Sequence, residues 1–208
     1  MRDIIKVIEI LDKEFKERAV VEHEDPFKVL ISTILSQRTK DSNTEKASKN
    51  LFSNFKNAKE IADAELNEIE KLIKPSGFFR VKARTINKVS KIILEQYNGK
   101  VPNKLEELIK LPGVGRKTAN CTLCFGYKIP AIPVDVHLNR ISNRIGIVKT
   151  KTPEETEKGL MKIIPKKYWL KINNLFVKFG QNICLPRKPK CQICPIKNFC
   201  EYYSTNYL

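Results

Sequence analysis

Cys184, Cys191, Cys194 and Cys200 stand in a C-x6-C-x2-C-x5-C array near the end of a 208-residue chain. Four thiolates so close in sequence form a metal site, because a reducing cytosol disfavours disulfides and loops this short suit ligation better than cross-linking. Tetrahedral zinc and an iron–sulfur cluster both take four cysteines. Structural zinc sites usually pair two short knuckles across a long gap, whereas one C-x2-C flanked by single cysteines is a looser wrap that leans toward a larger cluster. Cys121 and Cys124 make a second C-x2-C. They fall in a stretch of helical period with no partner pair nearby, where cysteine packs as a small apolar residue.

The second chemical signal is Leu111-Pro112-Gly113-Val114-Gly115, followed at once by Arg116, Lys117 and Thr118. Two glycines bracketing one apolar residue allow a hairpin with Val114 plugged inward and backbone amides facing out. A Walker A loop needs more residues between its glycines, and the dinucleotide fingerprint lacks its third glycine and its preceding strand. The cations after the hairpin point instead to a phosphodiester. Composition agrees: 39 Lys and Arg against 23 Asp and Glu leave a formal charge of +16 and a pI near 9.6, which predicts a polyanionic partner. An apolar content of 41% suits a globular core. Apolar runs are too short to span a bilayer, and Met1-Arg2-Asp3 leads into a charged amphipathic helix, so a soluble intracellular protein is expected.

Apolar residues recur at helical spacing nearly throughout, which predicts an all-α protein. Helices are expected through Ile4 to Phe15, Val29 to Leu35, a Ser42–Glu45 capping box leading to Phe55, Ala62 to Ile73, Ala83 to Tyr97, an Asn103–Glu106 cap leading to Leu111, and Thr118 to Phe125. Asp135 to Ile145, a Thr152–Glu155 capping box with Pro153 at the first helical position, and Tyr168 to Phe179 follow, with the cysteine loop beyond Gly180.

The string LPGVGRKTAN, then Pro133-Val134-Asp135-Val136-His137-Leu138-x-Arg140, then the four-cysteine tail resembles the endonuclease III family, DNA glycosylases of the helix-hairpin-helix superfamily. Ile34-Leu35-Ser36-Gln37 with Asp41, and Gly77-Phe78-Phe79-Arg80-x-Lys82-Ala83, carry the same resemblance, which covers nearly the whole chain. It implies a two-lobed fold: a central six-helix lobe over residues 20–130, and a lobe made of 1–19 with 131–208 that carries a [4Fe-4S] cluster on the four cysteines. Lys117 and Asp135 come from opposite lobes, so the expected active site lies in the interlobe cleft.

The resemblance further implies a base-excision-repair enzyme that flips a damaged base from duplex DNA and, having a lysine after the hairpin, also nicks the strand. Lys117 is the expected nucleophile, since only an amine forms the imine that makes β-elimination accessible, and Asp135 the expected carboxylate, assisting deprotonation or serving also as a helix N-cap. Gln37 or Arg38 and the apolar Phe78 are expected to fill the gap in the duplex, although a phenylalanine there is as often a core anchor; bacterial relatives tend to carry glutamine where Arg38 stands. Leu111, Gly113, Val114, Gly115 and Arg116 are expected on phosphates, with Arg187 and Lys188 of the cysteine loop and His137 as a further DNA contact. The implied partner is double-stranded DNA bearing oxidised or ring-saturated pyrimidines or abasic (AP) sites, and the implied state a monomer. A monofunctional mismatch or adenine glycosylase, or a noncatalytic metal-bearing DNA-binding module, are the rivals; Lys117 and the short tail after Cys200 speak against the glycosylase rival.

Overall fold

Helix-favouring period runs through the whole chain, and a computed structural model, describing residues 3–15 and 25–208, contains α-helices and short 3₁₀ and π turns with no strand among the described residues. They divide into two units, one of His23–Ile129 and one of Met1–Glu22 with Pro130–Leu208. Among the described residues no helix is long and apolar enough to cross a membrane.

In the first unit, α2 (Pro26–Ser36) is apolar nearly all round and correspondingly central. Val29, Leu30, Ile31, Ile34 and Leu35 are all buried. Pro26 opens it at the first helical position, and Asp25 accepts from the Phe27 amide at 2.8 Å. The following α3 (Asp41–Asn54) departs from expectation: the Lys40 carbonyl already accepts from the Asn43 and Thr44 amides, so the helix starts before Ser42 and no Ser42–Glu45 capping box forms. The segment read as one helix from Ala62 to Ile73 is two, α4 (Ala58–Asp63) and α5 (Leu66–Leu72), separated by extended Ala64, with Leu66 exposed. Seven α-helices therefore occupy this unit among the described residues, against six expected.

Nineteen residues long, α6 (Phe79–Tyr97) buries Ala83, Ile86, Val89 and Ile93 and stops at left-handed Asn98. The short α7 (Leu105–Leu108) begins after Lys104, whose carbonyl takes the Glu107 and Leu108 amides; Asn103 is not its cap, and Leu111 lies in a turn beyond it. After the glycine turn, α8 (Arg116–Cys121) runs into a π turn, Thr122–Gly126, and both pack on α2. Cys121 and Cys124 are buried there, as apolar packing requires.

The other unit is built from α1 (Ile4–Glu14), α9 (Val136–Ile145), α10 (Pro153–Ile163), α11 (Trp169–Asn182) and α12 (Glu201–Tyr207). Ile8 and Leu11 of α1, Leu138 and Ile141 of α9, and Ile172, Phe176 and Phe179 of α11 form its core. Phe15 meets Phe179 edge-on at 6.1 Å between centroids. The Thr152 capping box forms as read, with Pro153 in the first turn. Helix α11 runs three residues past Phe179, so the cysteine loop starts later than Gly180, and α12 was not anticipated.

Close approach of α9 and α11 depends on Gly180. A Cβ there would lie 2.6 Å from His137 Nδ1 and 3.0 Å from both Arg140 Nη2 and Ile141 Cδ1. Gly180→Ala would gain about 1 kcal/mol in helix propensity but overpack this crossing at a cost of about 1–3 kcal/mol. A lower melting temperature by circular dichroism is the expected result; a rise would mean the crossing yields easily.

Candidate active site and cluster loop

The glycine turn is a hairpin, with its two glycines needed for different reasons. Gly113 has φ +72°, and a Cβ there would sit 2.7 Å from Thr85 Cγ2, so both backbone and packing demand glycine. At Gly115 a Cβ would meet nothing within 4 Å, so its bareness leaves an open outer face. Leu111 and Val114 are buried, and the Val114 amide donates to the Leu111 carbonyl at 3.1 Å. The side chain of Val114 plugs the hairpin inward as expected, Leu111 is buried with it, and the Val114 amide is taken. The amides of Gly113 and Gly115 have no acceptor among the described residues and remain for a ligand.

Arg116 and Lys117 open α8 and are half-buried. Lys117 Nζ makes no hydrogen bond or ion pair among the described residues. In the other unit, Asp135 caps α9: one carboxylate oxygen accepts from the amides of His137 at 2.9 Å and Leu138 at 2.8 Å. Its second oxygen has no hydrogen-bond partner among the described residues. His137 sits against Gly180 with Nδ1 3.3 Å from Arg140 Nη2, a packing role inside its own unit.

Gln37, Arg38 and Phe78 surround a groove of about 310 Å³ that also includes Ile34, Val81, Lys82, Thr85 and Gly113. Gln37 is tied down, donating through Nε2 to the Gly113 carbonyl at 2.9 Å and to Thr118 Oγ1 at 3.4 Å. Arg38 and Phe78 both have positive φ, 50° and 57°, and both are exposed. The Arg38 guanidinium lies 5.9 Å from the Phe78 ring centre. With 62% of its surface exposed, Phe78 is no core anchor.

Lys82 was missed as a functional residue. It is buried, and Nζ donates to the carbonyls of Leu35 at 2.7 Å and Gln37 at 2.5 Å, and to Thr39 Oγ1 and Ser76 Oγ at 2.9 Å each. Burial lowers its pKa to about 8, while the four oxygens favour the ammonium. The signal was legible: Lys82 falls on the same stripe of α6 as Ile86, Val89 and Ile93.

At the far end of the chain, Cys184, Cys191, Cys194 and Cys200 line one cavity floored by Phe179, Ile183 and Ile196. Among the described residues no three His, Cys, Asp or Glu side chains close on one ion position; the four sulfurs ring a shared space instead. Burial, opposed by the Ile196 amide, and then the neighbouring Cys200, Cys184 and Cys191 push the Cys194 thiol up to about 11. Four thiols gathered around an apolar floor, with that of Cys194 held protonated by burial, are a set that a cationic cluster stabilises. The residues present fit an iron–sulfur cluster.

Two arginines of α9, one turn apart, hold the loop in place, and sequence reasoning missed this role. Arg144 donates to the carbonyls of Leu185 and Pro186 at 2.7 Å each, and Arg140 to those of Cys184 at 2.7 Å and Gly180 at 3.2 Å. Arg144 also lies 4.9 Å from the Tyr202 ring centre. Arg187 and Lys188 are exposed at the loop's tip, Lys188 with φ 50°.

Comparison with known proteins agrees with this geometry. Residues 31–166 match the HhH-GPD superfamily of base excision DNA repair proteins, and residues 184–200 match the iron-sulfur binding domain of endonuclease III. Endonuclease III of Thermotoga maritima is 53% identical over 95% of this chain and 93% of its own length. Endonuclease III of Bacillus subtilis is 38% identical over 86% of this chain and 82% of its own. Among solved structures, a trapped endonuclease III–DNA covalent intermediate, an estranged-adenine complex, is similar with a TM-score of 0.88 at 36% identity, covering 97% of this chain and 96% of that one.

Cys194→Ser removes the most hindered thiol of the set. The purified variant is expected to lose most of its iron and its visible absorbance while the His23–Ile129 unit keeps its helical signal; full iron occupancy would show that the ligand set is wrong.

Proposed function

The chain belongs to the HhH-GPD superfamily of base excision DNA repair proteins and, within it, to the endonuclease III family, and from that premise we propose that Lys117 attacks the sugar of an oxidised or ring-saturated pyrimidine in duplex DNA. The enzyme is a bifunctional DNA glycosylase and AP lyase of base excision repair, and it carries a [4Fe-4S] cluster. The substrate is double-stranded DNA with damaged bases such as thymine glycol, or with AP sites.

Nζ of Lys117, as the neutral amine, adds to C1′ while the C1′–N bond breaks and its electron pair leaves with the base. Loss of a proton from nitrogen and opening of the sugar ring yield an imine between Lys117 and C1′. The imine acidifies C2′–H, and removal of that proton expels the 3′ phosphate by β-elimination; water then releases Lys117. Asp135 accepts the amine's proton, directly or through water, and stabilises positive charge on the sugar as the base departs. Its second oxygen is the one left for this work, the first being engaged by α9. Flipping leaves a hole that Phe78 and Arg38 fill, while Gln37 holds their loop to the hairpin.

Phosphates meet the amides of Gly113 and Gly115, the side chain of Arg116, and Arg187 and Lys188 at the tip of the cysteine loop. When bound to Cys184, Cys191, Cys194 and Cys200, the [4Fe-4S] cluster supplies four metal–thiolate bonds that tie this loop to the end of α11. The observation that carries the assignment of Lys117 is a half-buried amine directly after the hairpin that no carboxylate engages among the described residues.

Incubation with a duplex carrying one thymine glycol, followed by borohydride, should give a covalent protein–DNA band with wild type and none with Lys117→Gln, which should still bind the duplex. A band with Lys117→Gln would remove Lys117 from its role. No band with either, alongside intact binding, would leave a lyase-free or noncatalytic protein. Asp135→Asn should preserve stability, because asparagine caps a helix as well as aspartate does. It should nonetheless slow turnover by about 10²-fold or more; wild-type turnover would leave Asp135 a cap alone.

A further inference from the structure

We propose that Lys82 is a positioning residue that locks the 37–39 turn and the 76–78 turn into one preassembled wedge, so that Arg38 and Phe78 enter the duplex as a unit. This rests on the reading of Arg38 and Phe78 as the residues that fill the duplex gap. It adds a device that sets where both stand.

The ammonium of Lys82 is enclosed by four oxygens from three separate places. The Leu35 carbonyl ends α2, the Gln37 carbonyl and Thr39 Oγ1 belong to the first turn, and Ser76 Oγ belongs to the second. The same oxygens bond one another. Thr39 Oγ1 accepts from the Gly77 amide at 3.0 Å and lies 3.3 Å from Ser76 Oγ, which donates to the Leu35 carbonyl at 2.9 Å. One connected network thus spans both turns and the start of α6, and such networks hold geometry more firmly than their separate bonds.

Both residues presented by this network have costly backbones. Arg38 and Phe78 occupy the left-handed region that side chains disfavour, and a conformation of that kind persists only where its surroundings over-determine it. The peptide that turns the chain into Arg38 is the one whose carbonyl Lys82 holds at 2.5 Å. The turns also nest directly: a Cβ on Gly77 would lie 2.8 Å from the Arg38 carbonyl oxygen. The resulting wedge places the Arg38 guanidinium beside the Phe78 ring at 5.9 Å.

A buried cation paired only with neutral oxygens stabilises a fold poorly compared with an apolar residue of the same size. Besides the buried Asn87 and Ser90, the buried face of α6 around Lys82 is formed by the apolar Ala83, Ile86, Val89 and Ile93. An apolar residue at position 82 would pack with them and leave the Leu35 and Gln37 carbonyls with only the Ser76 and Thr39 hydroxyls as donors. Conformational specificity in the two turns is what the lysine supplies.

The test is a mutant cycle in single-turnover base excision from a thymine-glycol duplex, using the full chain with its cluster. Lys82→Met, which keeps the volume and removes the donors, should lower the excision rate at saturating enzyme by about tenfold with little change in duplex affinity. In an Arg38→Ala, Phe78→Ala background, itself slow, Lys82→Met should add less than about twofold, because the residues it positions are gone. An undiminished penalty in that background would make Lys82 merely structural and overturn the proposal, as would wild-type excision by Lys82→Met alone. Wild-type excision by the Arg38→Ala, Phe78→Ala protein would instead overturn the gap-filling reading and the proposal with it. Should Lys82→Met lose its helical signal, Thr39→Ala carries the same cycle, with a loss of about threefold expected in the wild-type background and none in the other.

Discussion

Carbonyls in irregular backbone need donors once water is excluded, and in this chain long basic or amide side chains rooted near helices supply them. Lys82 serves the carbonyls that end α2 and enter Arg38. Arg140 and Arg144 serve four carbonyls at and beyond the end of α11. Gln37 serves the hairpin at Gly113. Each of these carbonyls lies in the last turn of a helix or beyond it, where the helix no longer supplies an amide donor. The positions of the gap-filling residues, the hairpin and the cysteine loop all follow from these few donors.

That constraint also sorts the large positive charge into two populations. Lys82, Arg140 and Arg144 face inward or sideways onto carbonyls and contribute to geometry. Arg38, Arg187 and Lys188 are exposed, two of them with positive φ at turn tips, and no backbone carbonyl holds them among the described residues. Net charge alone does not distinguish them. A half-buried guanidinium bonded to two carbonyls cannot exchange those partners for phosphate without releasing the loop it holds.

The same economy is visible at Asp135. One carboxylate oxygen closes the first turn of α9, which starts the helix carrying Arg140 and Arg144, and the other oxygen is left for chemistry. Cap and catalytic carboxylate are compatible because a carboxylate has two oxygens and a helix start engages only one of them. The cysteine loop, the arginines and the carboxylate are thus all referred to a single ten-residue helix.

Local spacing was enough to read the hairpin, the Thr152 cap and the all-helical class, because each depends on residues within a turn or two of one another. Local spacing also misplaced the starts of α3 and α7, where the Lys40 and Lys104 carbonyls closed the first turn two positions before the expected Ser42 cap and one position after the expected Asn103 cap. It left Gln37 and Arg38 undecided and Phe78 divided between wedge and core. Tertiary structure distinguishes their surroundings: Gln37 bonds a carbonyl 76 residues away, while Arg38 stands exposed beside an exposed Phe78. Lys82 reaches back 43 to 47 residues for three of its acceptors. The amino-acid sequence by itself determined which groups can do the chemistry, since that is a property of residue type and short-range order. Which of them face inward to hold the backbone and which stay exposed was decided by long-range hydrogen bonds, whose partners no local pattern names.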